Sequence, residues 1–172
     1  MRIIETYTRR LLSRKMATLK RQIILPNPDS IRKVGVLWLP AQRESFQYLY
    51  NHFSSKQIVV RNLCVYLNQS AQSPGANTIV PKEISWLGIP KKGIADDFLN
   101  MEFDLLFNIA LEQNLILDYL TGLSLAHFKI GWSPEKDNFF DLNINIRENE
   151  DAMFLVRQQI FYLSQLNKTA EL

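Results

Sequence analysis

Residues 33–67 read KVGVLWLPAQRESFQYLYNHFSSKQIVVRNLCVYL and contain a strand, a helix and a second strand in succession. Positions 34–39 are continuously apolar and of strand length, which is typical of a strand covered on both faces. Pro40 ends this run, and 44–53 then carries apolar residues at helical spacing. Apolar residues return in 57–67, so the pattern predicts a βαβ unit and a parallel sheet.

The rest of the chain adds elements of both kinds. The sequence predicts helices over 1–22, 114–125 and 149–167, a short helix within 89–102, a short strand at 83–88, and strands over 103–110, 127–132 and 140–146. Turn-forming residues in 68–82 predict an exposed loop. Strict apolar–polar alternation in 140–146 predicts an edge strand with one wet face. The fold class is therefore α/β: a small Rossmann-like three-layer sandwich with a mainly parallel sheet and a basic N-terminal helix.

The composition is that of one globular domain, with 172 residues, 47% of them hydrophobic and 22% charged. We expect a basic helical arm over 1–25 and a single α/β domain over 31–168. Cys64 is the one cysteine and lies in an apolar run, which favours a buried core position. No apolar stretch reaches the roughly 18 residues of a membrane span, and no such run follows the basic N-terminus. A cytoplasmic location is the resulting expectation.

Positive charge is concentrated at the start of the chain. Residues 1–22 hold seven basic residues against Glu5, a net charge of +6, and since the whole chain carries +3 the other 150 residues carry −3. We therefore hypothesise that Arg9, Arg10, Arg14 and Lys15 contact an anionic partner, RNA or a ribonucleoprotein. An anionic membrane surface is an alternative, and so is a solvated helix that only docks on the domain.

The apolar residues of this first helix form two sets that point about a third of a turn apart. The first set is Ile3, Ile4, Tyr7 and Leu11, and the second is Leu12, Met16, Leu19 and Ile23. Because the apolar stripe drifts around the helix, we expect the helix to pack only partly.

Catalytic signatures are absent from the sequence. It contains no GxGxxG, Walker A, CxxC, HExxH or GxSxG motif, and its six glycines leave little material for a phosphate-cradling loop. His52 and His127 have no ligand-type residues at metal-binding spacing. These observations predict a non-enzymatic protein with no cofactor and no metal site.

A weaker candidate site lies where the predicted strands end. Parallel α/β sheets bind ligands beyond the carboxyl ends of their strands, which places Arg43, Asn108, Glu112 and Ser133 at the expected crevice. Arg43 would bind an anion at a helix N-terminus. The alternative is that Asn114 caps the following helix while Glu112 is solvated. This site would take a nucleotide or a sugar phosphate.

Two family resemblances bear on function. The segment FDLLFN at 103–108, with LDYL at 117–120, LSLAHFKIG at 123–131 and KVGVL at 33–37, resembles DUF6913, an uncharacterised family of Bacteroidota proteins. That resemblance implies a basic helix before a small α/β domain, and no mechanism. The same segment is more weakly similar to the N-terminal half of heptosyltransferase-like glycosyltransferases, where Asn108 stands in place of an aspartate. That similarity implies a degenerate transferase or small-ligand domain.

A third hypothesis is that the chain is a structural subunit. Trp38, Trp86 and Trp132 would then bury against a partner protein or a second copy of the chain.

Overall fold

The computed structural model describes residues 2–68 and 75–166 of the chain. The helices are α1 (Arg2–Thr18), α2 (Arg43–Ser54), α3 (Asp96–Leu99), α4 (Leu115–Leu123) and α5 (Ala152–Leu166). The strands are β1 (Lys33–Trp38), β2 (Val59–Val65), β3 (Thr78–Ile79), β4 (Leu105–Asn108), β5 (Lys129–Gly131) and β6 (Leu142–Asn143).

The six strands form one sheet in the order β3-β2-β1-β4-β5-β6, and every described pair is parallel. The chain starts at the centre with β1, moves outward to β3, and then crosses to the other side at β4. This is the strand order of doubly wound nucleotide-binding folds, with the reversal between β1 and β4. The predicted parallel sheet is confirmed, and so is the predicted edge position of β6.

Alternate residues of β1 point into two separate cores. Val34 and Val36 belong to the core beneath α2 and α5, whereas Leu37 belongs to the core beneath α1 and α4. Both layers of helices therefore cover the sheet, which explains why β1 is apolar at successive positions. Gly35 faces Phe103, and a Cβ atom at this glycine would lie 2.8 Å from the phenyl ring.

Helix α1 packs on the second face of the sheet together with α3 and α4. Leu12 is 1% exposed and packs in the core shared with α4, and Met16 packs at its edge. A Cβ atom at Gly122 of α4 would lie 2.9 Å from Met16 Sδ. Because glycine has no side chain, α1 and α4 can approach each other closely at this point. Ile3 and Tyr7 stay exposed, so the expected partial packing is confirmed.

The segment after α1 is fastened to the amino end of the sheet. Arg21 forms an ion pair with Asp141, and its Nε atom donates to the carbonyl of Ala126 at 2.7 Å. The backbone N–H of Ile24 donates to the carbonyl of His127 at 3.1 Å. Asp141 also accepts from the backbone N–H of Lys129 at 2.8 Å, so one carboxylate ties this segment to the start of β5.

Two local predictions are wrong. The strand expected at 83–88 is absent from the described structure, where Pro81–Glu83 forms a 3-10 turn and Ile84 makes only an isolated bridge to Pro90. The third strand is instead Thr78–Ile79, inside the segment predicted as loop. A two-residue strand has no periodicity to detect, and a buried Ile79 is its main sequence signal.

Element ends also differ from the predictions. Helix α1 ends at Thr18 and not at 22, because Arg21 and Ile24 turn to bind backbone carbonyls near β5. Residues 69–74 of the predicted loop and residues 167 and 168 at the predicted end of the domain lie outside the described residues.

Candidate functional site

The outward face of α1 carries arginine and exposed apolar side chains along one line. Arg10 and Arg14 each lie two residues from buried Leu12, and two residues on a helix turn through about 200°, which points both arginines away from the core. Ile3 and Tyr7 precede them at positions seven residues earlier, so all four share this face. Thr6, Arg9, Arg10, Ser13 and Arg14 line a shallow groove of about 370 Å³.

Some basic residues of this helix are used to hold it on the domain. Arg9 pairs with Glu5 at 3.1 Å and with Asp118 of α4 at 2.9 Å. Burial raises the pKa of the Asp118 carboxyl, and the Arg9 guanidinium opposes that shift. The Nζ atom of Lys15 lies 5.4 Å from the ring centroid of Tyr119. Arg9 and Lys15 therefore contribute to the contact between α1 and α4.

Other basic residues are exposed and pair with no carboxylate in the part of the chain that the structure describes. They are Arg2, Arg10, Arg14 and Lys20. Of the seven basic residues in the first 22, only Arg9 and Arg21 form ion pairs within residues 2–68 and 75–166. The positive charge at the front of the protein is thus partly neutralised and partly presented to solvent.

A distant loop, residues 85–88, contacts the packed side of α1. Thr8 of α1 donates its hydroxyl to the carbonyl of Leu87 at 3.1 Å, and because Thr8 is 1% exposed and lies one turn before Leu12, this contact is on the buried side of the helix. Trp86 is 77% exposed, while Trp38 and Trp132 are buried in the core. Sequence reasoning missed this contact of α1, because periodicity within the helix does not show which distant residue Thr8 meets.

Asn108 at the strand-end crevice is fully buried and its side chain is occupied internally. Its Nδ2 atom donates to Gln113 Oε1 at 2.8 Å and to Thr121 Oγ1 at 3.1 Å, and its Oδ1 atom accepts from the Ala110 N–H at 3.1 Å. Its backbone carbonyl accepts from Gln159 Nε2 at 3.1 Å. These hydrogen bonds therefore link Asn108, at the end of β4, to α4 on one face of the sheet and to α5 on the other.

The other crevice candidates differ in accessibility. Ser133 is buried, and its hydroxyl accepts from the Glu135 N–H at 3.2 Å. Arg43 and Glu112 are exposed, and the Arg43 guanidinium lies 5.9 Å from the ring of Trp38. Asn114 caps α4, accepting from the Leu117 N–H at 3.0 Å, as the alternative interpretation predicts. Within the described residues, no hydrogen bond or ion pair joins Arg43 or Glu112 to Asn108 or Ser133.

Two ionisable groups lie within the protein body. Lys129 is 2% exposed and donates from Nζ to the carbonyl of Gly122 at 3.0 Å. Burial, reinforced by nearby Arg21, lowers the pKa of Lys129 to about 7. Burial also raises the pKa of the Cys64 thiol to about 12, which makes it a poor nucleophile. The burial of Lys129 was not predicted from sequence, because a lysine in a short apolar segment is ordinarily exposed.

The described residues contain neither a metal-binding cluster nor a membrane-spanning helix. Nowhere in 2–68 and 75–166 do three potential metal-ligating His, Cys, Asp or Glu residues gather. None of the helices in these ranges combines the length and hydropathy that crossing a bilayer requires.

The topology and surface define a doubly wound α/β protein whose first helix is both a packing layer and a basic outer face. Residues 2–166 match DUF6913, a family of unknown function, and the chain belongs to that family. Neither the curated proteins nor the solved structures contain a match to the chain.

Proposed function

We propose that this protein is a non-enzymatic RNA-binding or ribonucleoprotein accessory protein of the cytoplasm, and that its contact surface is the outward face of α1. The observation that carries the proposal is the exposure of Arg10 and Arg14 on the side of the helix opposite Leu12. Arg2 extends the same positive surface toward the helix N-terminus.

The charge pattern supports a polyanion over a small anion. Arg10 and Arg14 lie one helical turn apart, about 6 Å along the axis, so they contact successive groups of an extended partner. Arginine presents a planar fork of donors that suits phosphate oxygens. Arg9 and Lys15, although engaged with Asp118 and Tyr119, add positive potential beside the pair.

The test is a binding titration of the full chain with labelled RNA at several salt concentrations. Replacing Arg10 and Arg14 by glutamine removes two phosphate contacts, and the slope of log affinity against log salt should fall by about 1.5. Glutamine is a good helix former, so α1 is retained.

A matched control makes the same change in net charge elsewhere. Lys136 and Arg147 are exposed residues outside α1, and their double replacement by glutamine should leave the salt slope unchanged. Equal losses of affinity in the two double variants would show that only net charge matters. An unchanged slope in the α1 variant would reject the proposed surface.

A second candidate function is binding of a nucleotide or sugar phosphate at the strand-end crevice, as in a degenerate glycosyltransferase-like fold. The strand order favours it, because from β1 and β4 the chain proceeds toward opposite edges of the sheet, which defines a switch point. Gln159 Oε1 also lies buried at this end without a donor from the described residues. Arg43 and Glu112 would face the ligand, with Asn108 and Ser133 holding the strand ends.

A thermal-shift screen separates this candidate from the first. A nucleotide or sugar phosphate that binds only the folded chain raises its melting temperature, and Arg43→Gln should abolish that shift. Absence of any shift at millimolar concentrations of these ligands would exclude the crevice.

A further inference from the structure

We propose that the outer edge of β2 is a docking site for an extended acidic segment of a partner protein, which adds to the sheet as a further strand. The site consists of backbone groups and side chains of residues 59–63. It includes no residue of α1, so the proposal is independent of RNA binding by that helix.

The first part of β2 has no neighbour on its outer side within the described residues. β2 pairs with β1 from Val59 to Cys64, whereas β3 pairs only with Cys64 and Val65. Residues 59–63 therefore extend past β3, and at roughly 3.3 Å per residue they present about 17 Å of open strand edge.

The backbone groups of Val60 and Asn62 point toward this open side. The Val59 N–H donates to the Arg32 carbonyl at 2.9 Å, so Val59 faces β1, and successive residues of a strand direct their N–H and C=O groups to opposite sides. Cys64 is the next residue that faces outward, and its N–H donates at 3.0 Å to the carbonyl directly before β3. The outward groups of Val60 and Asn62 have no such partner in the part of the chain that the structure describes. Unpaired groups of this kind are a template for an added strand.

One face of the sheet beside this edge is uncovered. Leu63 belongs to the core beneath α1 and α4, and because alternate side chains of a strand share a face, Val59 and Arg61 lie on that face too. Val59 is 50% exposed and Arg61 is also exposed. The helices of that layer therefore stop short of the first residues of β2.

The charge on this face is positive. Arg61 forms no ion pair with a carboxylate among the described residues. Lys33 of β1 lies opposite Val59 in the parallel register and adds a second cation on the same face. Asp104 accepts from the Lys33 N–H at 2.9 Å and offsets part of that charge, which leaves Arg61 as the principal cation of the edge.

These features favour a partner strand in which acidic and apolar residues alternate. A strand that bonds to Val60 and Asn62 directs every second side chain to the face of Arg61, where a glutamate or aspartate forms a cross-strand ion pair. Its other side chains lie beside Val60, which packs against the core beneath α2 and α5. Apolar side chains suit that position.

A second copy of β2 fits this edge less well. In the antiparallel register that uses Val60 and Asn62 of both copies, Arg61 of one copy lies directly opposite Arg61 of the other. Like charges opposed across two strands are destabilising. The same arginine therefore disfavours self-association and attracts an acidic strand.

The experiment titrates the full chain into a fluorescein-labelled, end-capped octapeptide of alternating valine and glutamate, followed by anisotropy. Saturable binding is expected, and the corresponding valine–lysine peptide should not bind. Arg61→Glu should weaken binding of the glutamate peptide by about 2- to 30-fold and should confer binding of the lysine peptide. Because Arg61 is exposed, this variant keeps the fold.

Two N-methylated forms of the glutamate peptide test the backbone pairing. Methylation of the valine nitrogens blocks one side of the added strand, and methylation of the glutamate nitrogens blocks the other. One form should bind about 10-fold or more weakly, and the other should bind as the parent peptide does. Amide hydrogen exchange at Val60 and Asn62 should also slow when the unmethylated peptide is bound.

Two variants of the chain serve as controls. Arg147→Glu makes the same change of charge at an exposed residue away from β2 and should leave the affinity for both peptides unchanged. The double replacement of Arg10 and Arg14 by glutamine should also bind the glutamate peptide as the parent chain does. Failure of this proposal is therefore distinguishable from failure of the proposed RNA surface.

Several results would overturn the inference. They are absence of saturable binding at millimolar peptide, equal affinity of the parent chain and Arg61→Glu, and undiminished binding of both methylated forms. Displacement of the peptide by a uridine 12-mer would assign the edge to a polyanion. A stable dimer in light scattering that excludes the peptide would assign it to a second copy, and either assignment would contradict the proposed acidic partner.

Discussion

Replacing Leu12 by alanine tests whether α1 is a structural layer of the sandwich. Leu12 is 1% exposed and shares a core with Leu117 and Leu120. A Leu→Ala change at such a site leaves a cavity and costs about 3–4 kcal/mol. In a domain of this length each kcal/mol lowers the melting temperature by about 2–4 °C, so we expect a decrease of about 6–16 °C in one cooperative transition.

The assay is thermal unfolding followed by circular dichroism and by tryptophan fluorescence. Ile3→Ala is the matched control, since Ile3 is an apolar residue of the same helix that is 85% exposed, and its change should stay within about 0.5 kcal/mol. If Leu12→Ala melts at the parent temperature while losing part of its helical signal, α1 is a detachable arm and the reasoning from burial is refuted.

Three further experiments test the packing and the ionisation of buried residues. Gly35→Ala places a Cβ atom 2.8 Å from the Phe103 ring and should destabilise the fold by about 1–3 kcal/mol, measured by urea unfolding; a neutral result would contradict the close packing of that position. Burial lowers the pKa of Lys129 from 10.5 to about 7, so the unfolded chain binds more protons between those values. The free energy of unfolding should therefore rise between about pH 7 and 8.5, and Lys129→Met should remove that rise. Cys64, whose thiol pKa is raised to about 12, should resist iodoacetamide at about pH 8 until urea unfolds the chain, whereas rapid alkylation of the native protein would place it at the surface.

The sheet could be predicted because its central strands obey simple patterns. The continuous apolar run before Pro40 indicates a strand that is buried on both faces, and the alternation in 140–146 indicates an edge strand. β3 escaped prediction because Thr78–Ile79 is held by register with Cys64 and Val65, which is a tertiary contact and not a local preference.

The candidate site was predictable only in part. The positive charge of the first helix is visible in the sequence. Which of its basic residues form internal ion pairs and which stay exposed is not. Arg9 pairs with Asp118, which lies 109 residues further along the chain, and Thr8 bonds to Leu87, which lies 79 residues further along. Periodicity places residues on a face of one helix, and it carries no information about which distant residues that face will meet.

The amide network around Asn108 has a consequence for how this protein could acquire a ligand in its crevice. Gln113 also donates to the Trp132 carbonyl at 3.0 Å, so the two amides together link β4, β5 and the helices on either side. A guest molecule entering there would have to displace these internal bonds, and each buried polar group left without a partner costs about 1–3 kcal/mol. At the carboxyl ends of the strands, where doubly wound proteins bind their ligands, this chain commits its buried amide groups to internal hydrogen bonds.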